Sequence, residues 1–265
     1  SRRFRLEQAL RRAQTNGEFR LFYQPQVRLP GQQIKGVEAL LRWQDPEEGL
    51  VSPADFVPLL EETGMIHGVG EWVFRQALAD LRRWDAAGMD AGRVWVNVSA
   101  RQLGSEDLVP RLDRLIREEG LDPNRFGIEL TESGVAHHIE HSVAVLDALR
   151  GRGFRIAMDD FGTGYSALTF LRRLPFDEVK IDRLFVADVV EDRSLIRAIV
   201  AMGHGLGLSV LAEGVETEEQ MGTLVAEGCD YAQGFLLGRP MPADRLSGLP
   251  ESADENAPKD VDREV

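Results

Sequence analysis

The stretch FRIAMDDFG, residues 154–162, indicates the fold class, because an apolar run ends there in two carboxylates and a glycine. The same order of apolar run and polar end recurs in VWVN (94–97), FGIEL (126–130), EVKID (178–182) and SVLAE (209–213). Segments with apolar residues at helical spacing follow these runs, as at Leu108, Leu112 and Leu115. Strands that alternate with helices predict an α/β fold with a mainly parallel sheet.

Eight strand candidates can be placed along the 265 residues, at 19–27, 33–43, 94–98, 126–130, 154–160, 178–182, 209–213 and 231–233. That number in one chain of this length favours a closed barrel over an open sheet. Only Pro30-Gly31-Gln32 joins the first two candidates, which leaves no room for a helix and makes the pair antiparallel. The sequence therefore predicts a modified (β/α)8 TIM-like barrel with an antiparallel first strand.

The two ends of the chain differ from the middle. Leu6, Ala9, Leu10 and Ala13 recur at helical spacing and predict an amphipathic N-terminal helix over about 4–16. Beyond Pro250 the sequence is polar and acidic, so we expect a disordered tail over 249–265. Residues 1–248 are then expected to form one barrel domain.

Composition limits the class of partner and the compartment. The chain has 31 Lys+Arg against 44 Asp+Glu, a net charge of −13, which argues against binding a nucleic acid polymer. Its one cysteine, Cys229, excludes an intramolecular disulfide and favours a reducing compartment, so we expect a cytoplasmic domain. Arg197 and His204 interrupt the most apolar long stretch, so we expect no membrane contact from this segment; a membrane anchor in a longer protein stays open.

Polar residues stand at the carboxyl ends of the predicted strands, where barrel active sites are built. They are Glu38, Asn97, Glu129, Asp159, Asp160, Lys180, Glu213 and Gln233. Five carboxylates in one cavity need cations to stay ionised, and oxygen ligands suit Mg²⁺ or Mn²⁺ better than zinc. The adjacent Asp159 and Asp160 could bridge two metals, as in displacement at phosphorus. Phosphoryl hydrolysis and a metal-assisted lyase or isomerase both remain open, since Lys180 beside carboxylates also suits proton abstraction.

A series of short motifs identifies a family. The hexapeptide EALLRW (38–43) resembles the signature of the EAL-domain cyclic di-GMP phosphodiesterases. The resemblance extends through YQP (23–25), NVS (97–99), ELTES (129–133), DDFGTG (159–164), KID (180–182), EGVE (213–216), QG (233–234) and GRPMP (238–242). One tripeptide would carry no weight, but this ordered series spans nearly the whole chain. The family's barrel has an antiparallel first strand, which agrees with the short first connection.

The resemblance implies hydrolysis of cyclic di-GMP to linear 5′-pGpG with two divalent cations, Mg²⁺ or Mn²⁺, that activate a water for in-line attack. Ca²⁺ is expected to inhibit because of its larger radius and looser coordination. The implied ligands are Glu38, Asn97, Glu129 and Asp159 for one metal, with Asp159, Asp160 and Glu213 for the other. Lys180 would orient the water or stabilise the phosphoryl charge, and Glu213 is the favoured general base.

The resemblance also suggests residues that bind substrate, namely Gln24, Arg42, Asp182, Glu216 and Gln233. Arg42 could hold a phosphate through two hydrogen bonds, and Gln24 could read a guanine edge. The alternatives are a surface ion pair for Arg42 and a turn position for Gln24. The glycine loop over 161–166, anchored by Glu132, would have to be ordered for the metals to bind; the alternative is a plain strand-to-helix turn.

The family further implies a homodimer and an upstream sensory or GGDEF-type domain in a longer protein. A rival hypothesis is a degenerate domain that binds cyclic di-GMP as a receptor, or binds only protein partners. Degenerate members are expected to lose metal ligands or the glycine loop. Every such position is retained here, which favours an active enzyme.

Overall fold

The computed structural model describes residues 2–136, 139–162 and 171–246. Within these ranges the strands are β1 (Phe19–Arg28), β2 (Ile34–Asp45), β3 (Gly49–Val51), β4 (Arg93–Asn97), β5 (Phe126–Thr131), β6 (Arg155–Phe161), β7 (Glu178–Ile181), β8 (Ser209–Ala212), β9 (Tyr231–Ala232) and β10 (Met241–Pro242). The glycine loop beyond Gly162, and the predicted tail over 249–265, lie outside the described residues.

Eight strands close into a barrel in the order β1, β2, β4, β5, β6, β7, β8, β9. From β2 round to β9 every neighbouring pair is parallel, whereas β1 is antiparallel to both β2 and β9. The predicted barrel with a reversed first strand is confirmed. We call the end where the parallel strands terminate the mouth, and the opposite end the floor. The short strands β3 and β10 extend the sheet beside β2 and β1 and were not predicted.

Helices cover the outside of the barrel. They are α1 (Arg2–Ala13), α2 (Pro53–Thr63), α3 (Ile66–Ala86), α4 (Ala100–Leu103), α5 (Leu108–Glu119), α6 (Glu132–Ala136), α7 (Ile139–Arg150), α8 (Arg183–Ala187), α9 (Ser194–Gly205), α10 (Glu218–Ala226) and α11 (Ala243–Leu246). Alternate strand residues such as Val94, Val96 and Ile128 point outward and form the main core under these helices. Within the described residues, no helix combines the length and apolar content that crossing a bilayer requires.

The N-terminal helix is shifted from its predicted position. We expected about 4–16, and α1 instead runs over Arg2–Ala13. After Ala13 the chain turns, and Gly17 adopts a left-handed φ of 65° two residues before β1. Thr217 and Gln220 form a capping box at the start of α10.

Trp95 is a large side chain inside the barrel, below the mouth. The Trp95 side chain is buried but stands apart from the main core, on the face of β4 that also carries Asn97. A Cβ on Gly127 would lie 2.0 Å from Cε3 of the indole, so only glycine fits beside it. This packing occupies part of the barrel interior beneath the polar residues of the mouth.

Candidate active site

The parallel strands bring the predicted polar residues together at the mouth. Asn97 ends β4 and is in register with Glu129 on β5, while Thr131 at the end of β5 is in register with Asp159 on β6. Glu213 and Gln233 directly follow β8 and β9. The reversed strand also contributes, because Gln24 on β1 is in register with Glu38 on β2.

A buried ammonium group lies at the centre of the mouth. The Nζ atom of Lys180, whose side chain is 0% exposed, lies 2.7 Å from Glu129, 2.7 Å from Glu213, 3.3 Å from Glu38 and 3.3 Å from Asp159. We call these four acids the carboxylate ring. Lys180 was predicted to act on water or phosphate, and its place as the shared partner of four acids was not foreseen.

Burial and mutual repulsion shift the ionisation of the ring. Burial opposes the charge of Lys180, but the surrounding carboxylates outweigh it and raise the pKa of the ammonium well above its usual range. Burial and then the charge of Glu38 raise the pKa of Glu129 well above its usual range. Burial also acts to raise the pKa of Glu38, but Lys180 and hydrogen bonds from Gln233 and Asn97 lower it on balance. One lysine therefore compensates only part of the negative charge.

The adjacent acids on β6 reach the same region through a bulge. In a regular strand, Asp159 and Asp160 would point to opposite faces. The β6–β7 register shifts between Met158 and Phe161, and Asp160 has a left-handed φ of 55°. Carboxylate oxygens of Asp159, Asp160 and Glu213 consequently lie within 4.8 Å of one another. Burial and then Asp159 raise the pKa of Asp160 to about 6, and burial raises that of Glu213 to about 8 despite Lys180.

Amide side chains hold the other side of the ring. Asn97 donates to Oε1 of Glu38 at 2.8 Å, and Gln233 donates to its Oε2 at 2.7 Å. Gln233 also donates to Oε1 of Gln24 at 3.0 Å, while the amide of Gln24 donates to the Gly238 carbonyl at 3.1 Å. Gln26, which was not among the predicted residues, joins this network from β1. Two glutamines at alternate positions of a strand share one face, and this pattern could have indicated Gln26.

The remaining predicted residues surround the ring. Arg42 is part-buried, lies over the Phe22 ring at 5.8 Å and forms no ion pair within the described part of the chain. Asp182 caps α8 by accepting a hydrogen bond from the backbone N–H of Leu184 at 2.7 Å. Its side chain also forms a hydrogen bond with Asp160. Glu216 is exposed, and Glu132 is buried at the start of α6.

An open cavity of about 210 Å³ lies over one side of the ring. It is lined by Gln24, Glu38, Arg183, Glu213, Gly214, Glu216, Gln233, Gly234 and Phe235. Arg183 and Phe235 were not predicted as site residues. The exposed Phe235 ring carries the guanidinium of Arg239 at 4.2 Å from its centroid. An aromatic face and a cation at a polar cavity suit a ligand that has both ring systems and phosphate.

The donors at the mouth fit divalent cations. They are carboxylate and amide oxygens, and the clustered acids Asp159, Asp160 and Glu213 can offer oxygens to one ion. Hard oxygen donors are those that Mg²⁺ and Mn²⁺ prefer. The lone cysteine is not part of this site, because Cys229 is buried two residues before β9 begins, at the floor end of that strand. Burial also raises the pKa of its thiol to about 12.

Comparison with known proteins places this geometry in context. The family model described as the EAL domain matches residues 7–240. The bifunctional diguanylate cyclase/cyclic di-GMP phosphodiesterase MucR of Pseudomonas aeruginosa is 43% identical over 240 residues, which is 89% of this chain and 35% of the relative. The cyclic di-GMP phosphodiesterase PdeR of Escherichia coli is 39% identical over 241 residues, or 90% of this chain and 36% of PdeR.

A solved structure shows the same fold. The structure of the PaMucR phosphodiesterase in complex with c-di-GMP superposes with a TM-score of 0.87 at 43% identity. The match covers 91% of this chain and 99% of that one. The chain spans about one third of the length of the curated relatives, at 35% of MucR and 36% of PdeR.

Proposed function

The chain belongs to the EAL domain family, and from this membership we propose that it hydrolyses cyclic di-GMP to linear 5′-pGpG. The observation that carries the proposal is the carboxylate ring around Lys180 at the mouth, together with the Asp159, Asp160 and Glu213 cluster. Such a site uses divalent cations, because one ammonium leaves most of the acidic charge uncompensated. A lyase or isomerase needs no twin carboxylates on a bulge, so hydrolysis at phosphorus is the better account.

We assign two Mg²⁺ or Mn²⁺ ions to this site. Glu38, Asn97, Glu129 and Asp159 would hold one, while Asp159, Asp160 and Glu213 would hold the other. When bound, the cations supply Lewis acidity to the phosphoryl oxygens and lower the pKa of a nearby water.

Side chains of the ring then accept the proton of the attacking water and stabilise the charge that develops on the phosphoryl group. Among the four acids of the ring, Glu213 has the most exposed side chain, at 19%, and therefore accepts the proton of the attacking water. The water oxygen forms the new bond to phosphorus as the bond to the 3′-oxygen breaks, and the 3′-oxygen takes a proton from solvent to leave as a hydroxyl group. Lys180, which contacts all four acids of the ring, would orient the water or donate to a phosphoryl oxygen.

Substrate recognition falls to the rim of the mouth. Arg42 donates from Nη1 to the Leu41 carbonyl at 3.1 Å and has further guanidinium hydrogens for a phosphate, and Arg183 provides a second cation at the cavity. Phe235 offers a face on which a guanine base can stack. Gln24 and Gln233 can present amide edges to the base, and Glu216 lines the same cavity. We assign Asp182, which is hydrogen-bonded to Asp160, to substrate recognition as well.

The assembly follows from family membership and stays a proposal. We propose that residues 1–248 form the catalytic unit, that the domain lies in the cytoplasm, and that it works as a homodimer. A sensory or GGDEF-type domain precedes it in a longer protein, in line with the one-third coverage of MucR. We further propose that Glu132, buried at the start of α6, anchors the glycine loop.

The test is incubation of the purified chain with cyclic di-GMP and Mg²⁺ or Mn²⁺, followed by chromatography of the products. We expect 5′-pGpG from the wild type and none from Asp159→Asn, with unchanged circular dichroism. The matched control is Asp147→Asn on the exposed face of α7, which should retain full turnover. Tight binding of cyclic di-GMP without pGpG would instead establish a receptor.

The identity of the cation is tested separately. Replacing Mg²⁺ by Ca²⁺ should stop turnover, because the larger ion coordinates more loosely and holds the reacting groups less rigidly. Turnover that is equal with Ca²⁺ and Mg²⁺ would contradict the proposed cation preference.

A further inference from the structure

Gln26 is a buried polar residue of the reversed strand that has no role in the proposed chemistry. Its side chain is part of the barrel interior, and the residue is 3% exposed. It lies on the same face of β1 as Gln24 but two residues nearer the floor. Its register partner on β2 is Gly36, where a Cβ would lie 3.1 Å from Oε1 of Gln26. The barrel therefore accommodates this amide closely.

The Gln26 amide reaches two members of the site at once. Its Nε2 donates to Oε1 of Gln233 at 3.0 Å and to Oε1 of Glu129 at 3.4 Å. A primary amide has two hydrogens on its nitrogen, so both contacts can be made together. Gln233 in turn donates a hydrogen bond to Oε2 of Glu38 at 2.7 Å. Gln26 thus contacts one carboxylate directly and a second through one intermediary.

The hydrogen bond from Gln26 restrains the carboxylate of Glu129, which is buried away from solvent. The Glu129 side chain is 0% exposed, and its Oε2 receives a hydrogen bond from Lys180 at 2.7 Å. Gln26 supplies the donor to the other oxygen, Oε1. With one donor on each oxygen, rotation of the carboxylate about its terminal bond is restricted. Removing Gln26 would leave Oε1 buried without that donor.

We infer that Gln26 is a positioning residue that orients Glu129 and Gln233 for cation binding, and so sets the affinity of the site for its divalent ion. The inference rests on the proposed function, because that function makes Glu129 and Glu38 cation ligands. Groups that orient ligands from behind commonly change metal affinity or activity by roughly 10–100-fold when removed. Gln26 acts through its neighbours and does not itself contact substrate.

The test is Mn²⁺ binding by the chain without substrate, measured by titration calorimetry on wild type, Gln26→Met and Gln44→Met. Methionine matches glutamine in length but donates no hydrogen bond. Gln44 is an exposed residue of β2 and is the matched control. We expect Gln26→Met to raise the Mn²⁺ dissociation constant about tenfold or more, and Gln44→Met to leave it unchanged.

Steady-state kinetics separate positioning from packing. For Gln26→Met we expect a tenfold or larger fall in kcat at fixed Mn²⁺, with KM for cyclic di-GMP within about threefold of wild type. Should Gln26→Met fail to fold, Gln26→Asn retains an amide but withdraws it by one methylene, and should raise the Mn²⁺ dissociation constant in the same direction. Mn²⁺ affinity equal to wild type in the folded variant, with or without a lower melting temperature in EDTA, would overturn the inference.

The wild type distinguishes this failure from failure of the proposed function. Wild-type protein that binds Mn²⁺ but releases no pGpG would refute the phosphodiesterase, while the effect of Gln26→Met on Mn²⁺ binding would still decide the inference. Wild-type protein that hydrolyses cyclic di-GMP, beside a Gln26→Met variant with unchanged Mn²⁺ affinity, would refute the inference alone. Wild-type protein that binds no Mn²⁺ would overturn the inference, while release of pGpG with Mg²⁺ would still decide the proposed function.

Discussion

Replacing Glu178 by glutamine should remove a pH dependence from the stability of the barrel. Glu178 begins β7, two residues before Lys180, and is 5% exposed near the floor. Its Oε2 accepts from Ser209 Oγ at 3.0 Å, while its Oε1 has no hydrogen-bond partner in the described ranges. The charged groups that face it are Lys180, Arg93 and Asp230. A carboxylate so placed is poorly solvated and resists ionisation.

The size and sign of the effect follow from its pKa. Burial, opposed by Ser209, raises the pKa of Glu178 from the ordinary 4.5 to about 7. The folded state therefore binds this proton more tightly than the unfolded chain does. The stability associated with it is complete below pH 4.5 and is lost as the pH rises through about 7. At 1.36 kcal/mol for each pH unit between the two pKa values, the loss amounts to about 3 kcal/mol.

The assay is urea unfolding followed by circular dichroism in EDTA, at pH 5 and pH 8, for wild type and Glu178→Gln. The difference in unfolding free energy, variant minus wild type, should increase by about 2.5 kcal/mol between the two pH values. Any constant packing difference cancels in this comparison, as do the other titrating acids. Glu140→Gln, on the exposed face of α7, is the control and should show a difference that does not change with pH. The same flat behaviour in Glu178→Gln would refute the reasoning.

Three other substitutions test the packing and charge of the site. Lys180→Met should destabilise the metal-free chain by about 3–5 kcal/mol in urea unfolding, because four carboxylates lose the ammonium group that they share. Added Mg²⁺ should restore part of this loss, and unchanged stability of the variant would contradict that account. Gly127→Ala should lower stability by about 1–3 kcal/mol or more, because its Cβ would overlap Trp95, and an unchanged melting temperature would disprove the tight fit. Arg42→Lys should raise KM for cyclic di-GMP about tenfold with little change in kcat, since lysine cannot form the two parallel bonds to phosphate; an equal KM would remove Arg42 from recognition.

The fold could be predicted from sequence because its signals are local. The parallel strands β4 to β8 are mostly apolar runs of four to seven residues with a polar residue near the end, and the connection at Pro30-Gly31-Gln32 is too short for anything but a hairpin. Strand β3, of three residues, and β10, of two, carry no such pattern and depend on pairing with β2 and β1. Their existence is a consequence of tertiary packing, which a periodicity argument does not contain.

The sequence predicts which polar residues lie together at the mouth, but it does not predict which of their side chains contact one another. Parallel strand ends converge, so Glu38, Glu129 and Glu213 could be placed at one mouth from their positions alone. Asp160 illustrates the limit, since strict alternation would turn it away from Asp159, and a bulge with a left-handed residue reverses that outcome. Which acids Lys180 would contact depends on side-chain lengths across the whole barrel, and no spacing in the sequence encodes it.

The reversal of β1 decides where a preceding chain would be attached. Phe19 is paired with Trp43, so β1 begins at the mouth, and the helix before it packs against α2 there, with Arg2 paired to Glu48 and Asp55. In an all-parallel barrel the first strand would begin at the floor, about 16 Å away for a strand of five residues. A domain joined ahead of α1 would therefore be tethered beside the catalytic opening. Such a domain could cover or expose the opening by direct contact, and no conformational change would have to be transmitted through the barrel.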